Sequence, residues 1–186
     1  GLSKTSGAWE SIALFDYNQD GILDLIAGNK GQNSFYKEGM RMYVSDFDQN
    51  DTIEQLFCYR IDEKDYPISD KDELIMQLPF LKKQYKYYSD YAKASMKDLF
   101  TVEQLENAIQ KSIDLVDSSV FIFKGDTFIF EPLPSEIQYS NISAIHKTDK
   151  DNDGIPEIIL GGNNYSVKPQ FGAQDASKGW ILNLKN

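Results

Sequence analysis

Short apolar runs in this chain repeatedly give way to polar ones. Ile12 and Leu14 alternate with small residues, a stretch rich in Asp, Asn and Gly starts at Asp16, and Leu25-Ile26 follows it. Met42 and Val44 lead in the same way into a polar stretch at Asp46, and Ile158-Ile159-Leu160 leave a third that starts at Asp149. Period-two apolar patterns bounded by such clusters predict strands joined by tight turns, so each polar stretch is expected at a hairpin tip. Further strands are predicted over residues 55–59, 119–123, 127–130 and 142–146, with Lys124-Gly125-Asp126 turning between the second and third of these.

Between about residues 69 and 117 the period becomes helical. Asp70-Lys71-Asp72-Glu73 opens a segment holding Leu74, Met76 and Leu78, and Pro79 suits the first turn of a second helix. Leu81, Tyr85 and Tyr88 mark a 3/4 spacing, Ser89 is placed to cap a piece holding Tyr91, Ala92 and Met96, and Thr101 with Gln104 makes a capping box for Val102, Leu105, Ile109 and Ile113. The pattern therefore predicts a mainly β fold with a helical insertion (α+β). Residues 1–68 would carry two polar loops, 69–117 the insertion and 118–186 the third loop.

The three polar stretches are near-copies: DYNQDGILD from Asp16, DFDQNDTIE from Asp46 and DKDNDGIPE from Asp149. Ca²⁺ is a hard cation that takes six to eight oxygens at about 2.3 to 2.6 Å, and alternate residues of a tight loop can aim several carboxylates at one centre. In the first copy Asp16, Asn18 and Asp20 would supply side-chain oxygens, Ile22 its carbonyl and Asp24 a carboxylate. The third offers Asp149, Asp151, Asp153, the Ile155 carbonyl and Glu157, and is complete. The second offers Asp46, Asp48, Asn50, the Thr52 carbonyl and Glu54. Asp51 there replaces the Gly that supplies a left-handed turn in the other two, so this site is expected to be the weakest.

An EF-hand is excluded, because its twelfth loop position must be a bidentate Glu and is here Ala27, Phe57 and Leu160. Single Asp/Asn/Gly stretches are ordinary turns. The segment Val44-Ser45-Asp46-Phe47-Asp48 also fits a DxD that holds Mg²⁺ or Mn²⁺ for group transfer. Recurrence argues for a structural loop, since a catalytic site is needed once.

Charge sharpens this reading. The formal net charge is −10, and 11 of the 29 acids lie inside the three nonapeptides. Such clusters repel unless a cation neutralises them, and so acidic a chain is a poor candidate for nucleic acid or an anionic membrane surface. No apolar run approaches the ~18 residues of a membrane span, so no membrane insertion is expected. The lone Cys58 allows no intramolecular disulfide and is expected in the core, and His146 has no partner for catalysis. No HExxH, GxSxG, CxxC or phosphate-cradling glycine loop is present, so no enzyme activity is expected. Tyr85, Tyr88 and Tyr91 are expected to pack at helical spacing. Tyr87 falls off that stripe and is expected at the surface, where tyrosines could hold a glycan or a partner protein.

The segments DYNQDGILDLIAGN and DKDNDGIPEIILGGN resemble the FG-GAP/VCBS repeats of integrin-α-type β-propellers. Three further segments, YPISDKDELIMQLPFLKKQYKYYSDYAKASMKDLF, EPLPSEIQYS and GGNNYSVKPQFGAQDASKGWIL, are similar to large secreted VCBS-repeat proteins of Bacteroidetes-type bacteria related to the ASPIC/UnbV group. The resemblance implies a calcium-binding propeller segment of a larger secreted or cell-surface protein, with an extracytoplasmic location. It supplies no reaction.

Removing the insertion leaves roughly 135 residues, about three blades of 40 to 50 residues each. Three blades do not close a ring, so the expected architecture is about three blade-like antiparallel sheets of an incomplete β-propeller, with the rest of a larger propeller chain as neighbour; the alternative is a compact sheet covered by the inserted helices. The opening at Gly1-Leu2 reads as a start inside a domain, with Gly1 as a tag remnant and any export signal elsewhere. The favoured function is non-catalytic recognition or adhesion, toward a glycan or a protein. The alternatives are a non-catalytic part of a secreted glycan-processing enzyme and a calcium-stiffened structural spacer.

Overall fold

The computed structural model describes residues 2–184. They form strands β1 (Ser11–Phe15), β2 (Asp24–Gly28), β3 (Arg41–Ser45), β4 (Glu54–Ile61) and β5 (Lys64–Pro67), followed by helices α1 (Lys71–Gln77), α2 (Leu81–Gln84), α3 (Tyr88–Tyr91), α4 (Met96–Leu99) and α5 (Val102–Asn107). Strands then resume as β6 (Ile109–Ser112), β7 (Ser119–Phe123), β8 (Phe128–Pro132), β9 (Ala144–Thr148), β10 (Glu157–Gly161) and β11 (Trp180–Leu182). The chain is mainly β, in three antiparallel sheets ordered β1-β2-β7-β8, β11-β10-β9 and β5-β4-β3-β6. None closes into a barrel. Each polar nonapeptide spans the tip of a hairpin, β1–β2, β3–β4 or β9–β10, as the alternation predicts.

The chain divides into two compact units, Gly1–Glu38 with Ile113–Asn186, and Gly39–Ser112. The first holds two of the sheets. Side chains alternate across a strand, so Phe15, Ile26, Val120 and Ile122 leave one sheet on a single face and share a core with Ile158 and Leu160 of β10 and with Ile142. Burying each such side chain contributes about 1.5–3 kcal/mol. Gly28 ends β2 where a Cβ would lie 2.1 Å from the Ile142 carbonyl oxygen, so only glycine admits this approach. The opposite face of the first sheet leaves Ile12 and Leu14 exposed, and Ile159 and Ile181 are exposed on the second.

In the second unit the helices cover one face of the sheet β5-β4-β3-β6. Tyr43, Leu56 and Cys58 point into a core with Leu74, Leu78, Leu81, Met96, Leu99 and Phe100. The helix starts follow from local chemistry: Asp70 accepts the Glu73 N–H at 2.8 Å, Ser95 with Asp98 forms a capping box, and so does Thr101 with Gln104. Two Ser95 hydrogen bonds hold the Asp98 carboxyl below the usual carboxylate range.

Several helical details differ from the periodicity. The final helix stops at Asn107, and Ile109 lies on β6, which pairs with β3 through Val44↔Ile109 and Tyr43↔Gln110. β3 would otherwise present an unpaired edge, and β-branched Ile109 suits a strand; the ladder therefore takes over four residues of the expected insertion. Ser89 lies inside α3 and caps nothing, while Ser95 starts the next helix. Tyr85 is buried and Tyr91 packs against the core, but Tyr88 is 60% exposed because α2 ends before it and breaks the stripe. Tyr87 is exposed, as its position off the stripe predicts.

Candidate metal centres

The three nonapeptides fold alike. In each, the fourth residue is left-handed, with φ of 60° at Gln19, 60° at Gln49 and 58° at Asn152. The sixth is left-handed too, at 85° for Gly21, 64° for Asp51 and 87° for Gly154. These turns aim backbone N–H groups at the first carboxylate. Asp16 accepts from Asp20 and Gly21 at 2.9 and 2.8 Å, Asp46 from Asn50 and Asp51 at 3.0 and 2.9 Å, and Asp149 from Asp153 and Gly154 at 3.1 and 3.0 Å. The fifth side chain accepts the N–H of the seventh residue: Asp20 from Ile22, Asn50 from Thr52 and Asp153 from Ile155, at 2.8 to 2.9 Å.

The ninth residue closes each loop. Asp24 accepts the Tyr17 N–H at 3.0 Å, Glu54 the Phe47 N–H at 2.9 Å and Glu157 the Lys150 N–H at 2.8 Å. These three carboxylates are only 1%, 5% and 5% exposed, and among the described residues none has a basic partner in an ion pair. Asp24 also accepts the Phe123 N–H at 2.8 Å, so backbone donors take both of its oxygens, and a cation beside any of the three would supply the countercharge a buried carboxylate needs.

Among the described residues, three carboxylates come within 4.8 Å of one another in two loops. One group is Asp46, Asp48 and Glu54, the other Asp149, Asp151 and Asp153. Either could hold a metal ion. Oδ1 of Asp48 is buried without a hydrogen-bond partner, which is what an oxygen reserved for a cation would show. The Phe47 carbonyl of the same loop accepts from Gln104 of α5 at 2.8 Å, so a helix braces this turn.

The first loop is arranged differently. Its third residue is Asn18, whose amide donates to Asp20 at 3.0 Å, and Lys124 of the β7–β8 turn lies 3.6 Å from the same carboxylate. The Ile22 N–H, then the Asn18 amide, and Lys124 besides, hold the Asp20 carboxyl below the usual carboxylate range. Carboxylate convergence thus follows a different order from the loop sequences, with the Asp46 loop beside the Asp149 loop and ahead of the Asp16 loop.

Asp51 occupies the left-handed conformation at the position where the other loops have Gly. Asp51→Gly is expected to stabilise the protein by about 0.5–1 kcal/mol, read as a rise of a few degrees in melting temperature. An unchanged or lower melting temperature would show that the Asp51 side chain contributes to the loop.

Sequence reasoning missed a set of polar residues, with Asn29, Ser118 and Gln138 buried and Asn163 exposed, that hold the hairpins of the first unit. The Asn29 N–H donates to the Ser118 hydroxyl at 2.9 Å, and the Asn29 amide donates to the Leu115 carbonyl at 2.9 Å. Gln138 spans Ser118 and Leu133. Asn163 accepts the Ser177 N–H and donates to its carbonyl, both at 3.1 Å. The one available signal was the repeated Gly-Asn pair after a strand, Gly28-Asn29 and Gly162-Asn163.

Two other groups are set aside by their surroundings. Cys58 is buried, and desolvation pushes its thiol up to about 12, so little thiolate forms near neutral pH. His146 is exposed on β9 opposite Ile159. No helix among the described residues is long and apolar enough to cross a membrane. No family model matches the chain, nor does any curated protein or solved structure.

Proposed function

We propose that this chain is a calcium-stabilised, non-catalytic repeat module of the FG-GAP/VCBS type, part of a larger secreted or cell-surface protein that recognises a glycan or another protein. The supporting observation is the threefold recurrence of one hydrogen-bonded cradle, with buried ninth-position carboxylates and two triple-carboxylate clusters. All-oxygen donor sets favour a hard cation, and a loop with several carboxylates suits Ca²⁺ better than Mg²⁺, which keeps several waters in strict octahedral geometry. The apolar residues left outward on two sheets, Ile12 and Leu14 on one and Ile159 and Ile181 on the other, are where further blades of an incomplete propeller would stack.

Asp153 sits in one cluster and its side chain fixes the Ile155 N–H. Asp153→Ala is expected to remove the third loop's share of any calcium-induced rise in melting temperature and to leave that of the second loop intact. Screening the calcium-loaded chain against glycan and protein arrays tests the recognition role. Binding that disappears with EDTA supports it, absence of binding with the melting response intact favours a spacer, and glycan hydrolysis lost on a single carboxylate substitution favours an enzyme.

A further inference from the structure

The second unit carries a cleft at the far end of its metal hairpin, built from groups the loops do not use. By register and alternation Arg41 and Tyr43 of β3, Cys58 and Arg60 of β4 and Asp65 of β5 lie on the same sheet face. The helices bury Tyr43 and Cys58 in the middle of that face. Beyond them, at the start of β3 and the β4–β5 turn, lies a cleft of about 330 Å³ walled by Met96 and Lys97 of α4 and by Val102 and Leu105 of α5.

Arg41 and Arg60 are the chain's two arginines, and both line this cleft. Both guanidiniums converge on Asp65, at 3.6 and 3.4 Å, and Arg60 also pairs with Glu63. The Asp65 side chain is 9% exposed and takes the Tyr43 hydroxyl at 2.6 Å. Each guanidinium carries five N–H donors in a planar fork, so the Asp65 carboxylate shared between the two, with Glu63 on Arg60 alone, leaves donors over. Lys64 and Lys97 add two ammonium groups, and Lys97 has no hydrogen bond or ion pair among the described residues. Four cations thus line the cleft against three acids (Glu63, Asp65 and Glu106) in a chain whose net charge is −10. A cleft that reverses the sign of the whole molecule attracts anions against the surrounding field.

We propose that this cleft binds an oxyanion-bearing small ligand, a carboxylate, sulfate or phosphate group held by the arginine pair, with a short apolar or sugar body against Met96, Val102 and Leu105. Asp65 is a positioning residue: it holds the two forks side by side and competes with the ligand for them. The cleft and the Asp46 loop sit at opposite ends of the β3–β4 pair, so the proposal stands or falls independently of calcium binding.

With two arginines, the protein gives two side-chain Nε–H resonances, assigned by Arg41→Lys and Arg60→Lys. Inorganic sulfate and glucuronate are titrated into calcium-loaded protein at constant ionic strength, set with chloride. Saturable shifts of both resonances are expected with sulfate, and a response to glucuronate as well would place the carboxylate among the accepted groups. Lys97→Ala, an exposed change that leaves the fold intact, is expected to weaken binding several-fold, and Arg41→Ala about tenfold. Asp65→Asn is expected to act in the opposite direction and tighten binding, because it removes the internal competitor. Shifts with neither anion, shifts matched by chloride, or an Asp65→Asn variant that remains folded and binds no more tightly would overturn the proposal and leave a closed ion-pair network.

Discussion

Chelation with EDTA is expected to lower the melting temperature of this protein by about 2 to 16 °C from its value in millimolar calcium. At the roughly 10⁻⁴ to 10⁻³ M affinity of extracellular calcium modules, ~1 mM free ion contributes RT ln(1 + [L]/Kd), about 0.4–1.4 kcal/mol per site. Two or three sites together give about 1–4 kcal/mol, and a domain of this size loses about 2–4 °C per kcal/mol. Both units should respond, because the first contains the Asp16 and Asp149 loops and the second the Asp46 loop. Magnesium at the same concentration should restore less. Unfolding curves that overlay with and without EDTA would remove calcium from the account of stability.

Gln138→Leu should cost about 3–5 kcal/mol, a loss of roughly 10 °C or more. Gln138 is 1% exposed. Its Oε1 accepts the Ser118 N–H at 2.8 Å, and its amide donates to the Ser118 and Leu133 carbonyls, each at 2.9 Å. Leucine fills a similar volume but leaves the Ser118 N–H and the Leu133 carbonyl buried without partners, at about 1–3 kcal/mol each before relaxation, while the Ser118 carbonyl keeps the Leu133 N–H at 2.9 Å. The same residue's backbone carbonyl is approached to 2.5 Å by a Cβ placed on Gly31, so the segment has little room to rearrange. Denaturant titration measures the cost. A change below about 1 kcal/mol would mean that water reaches Ser118, and that the network guides the chain without stabilising it.

The hairpins and their acidic loops were legible because both signals are local. Alternation around Ile12, Met42 and Ile158 fixes strands, and Asp/Asn/Gly chemistry fixes the turns, including the left-handed Asp51. What was not legible depended on distant partners. Ile109 reads as helical by spacing, but the free edge of β3 draws it into a strand. Asp20 reads like Asp153, yet Lys124, more than a hundred residues later, reaches its carboxylate. Asn29, Ser118 and Gln138 look like surface residues by type and become buried only because each satisfies another. The arginine pair was likewise invisible, since Arg41 and Arg60 are brought to one Asp by strand register and not by any motif.

The propeller reading implies that the exposed apolar faces around Ile12 and Ile159 belong against neighbouring sheets. The metal reading is the more basic of the two, because the loops hold the hairpins from which any such stack would be built. Calorimetric titration of calcium into EDTA-stripped protein tests it most directly, comparing the unaltered chain with an Asp48→Ala, Asp153→Ala double variant. Saturable binding to at least two sites, one in each triple-carboxylate cluster and both lost in the variant, is the predicted result. An absence of saturable heat, or an isotherm the variant reproduces, would contradict it.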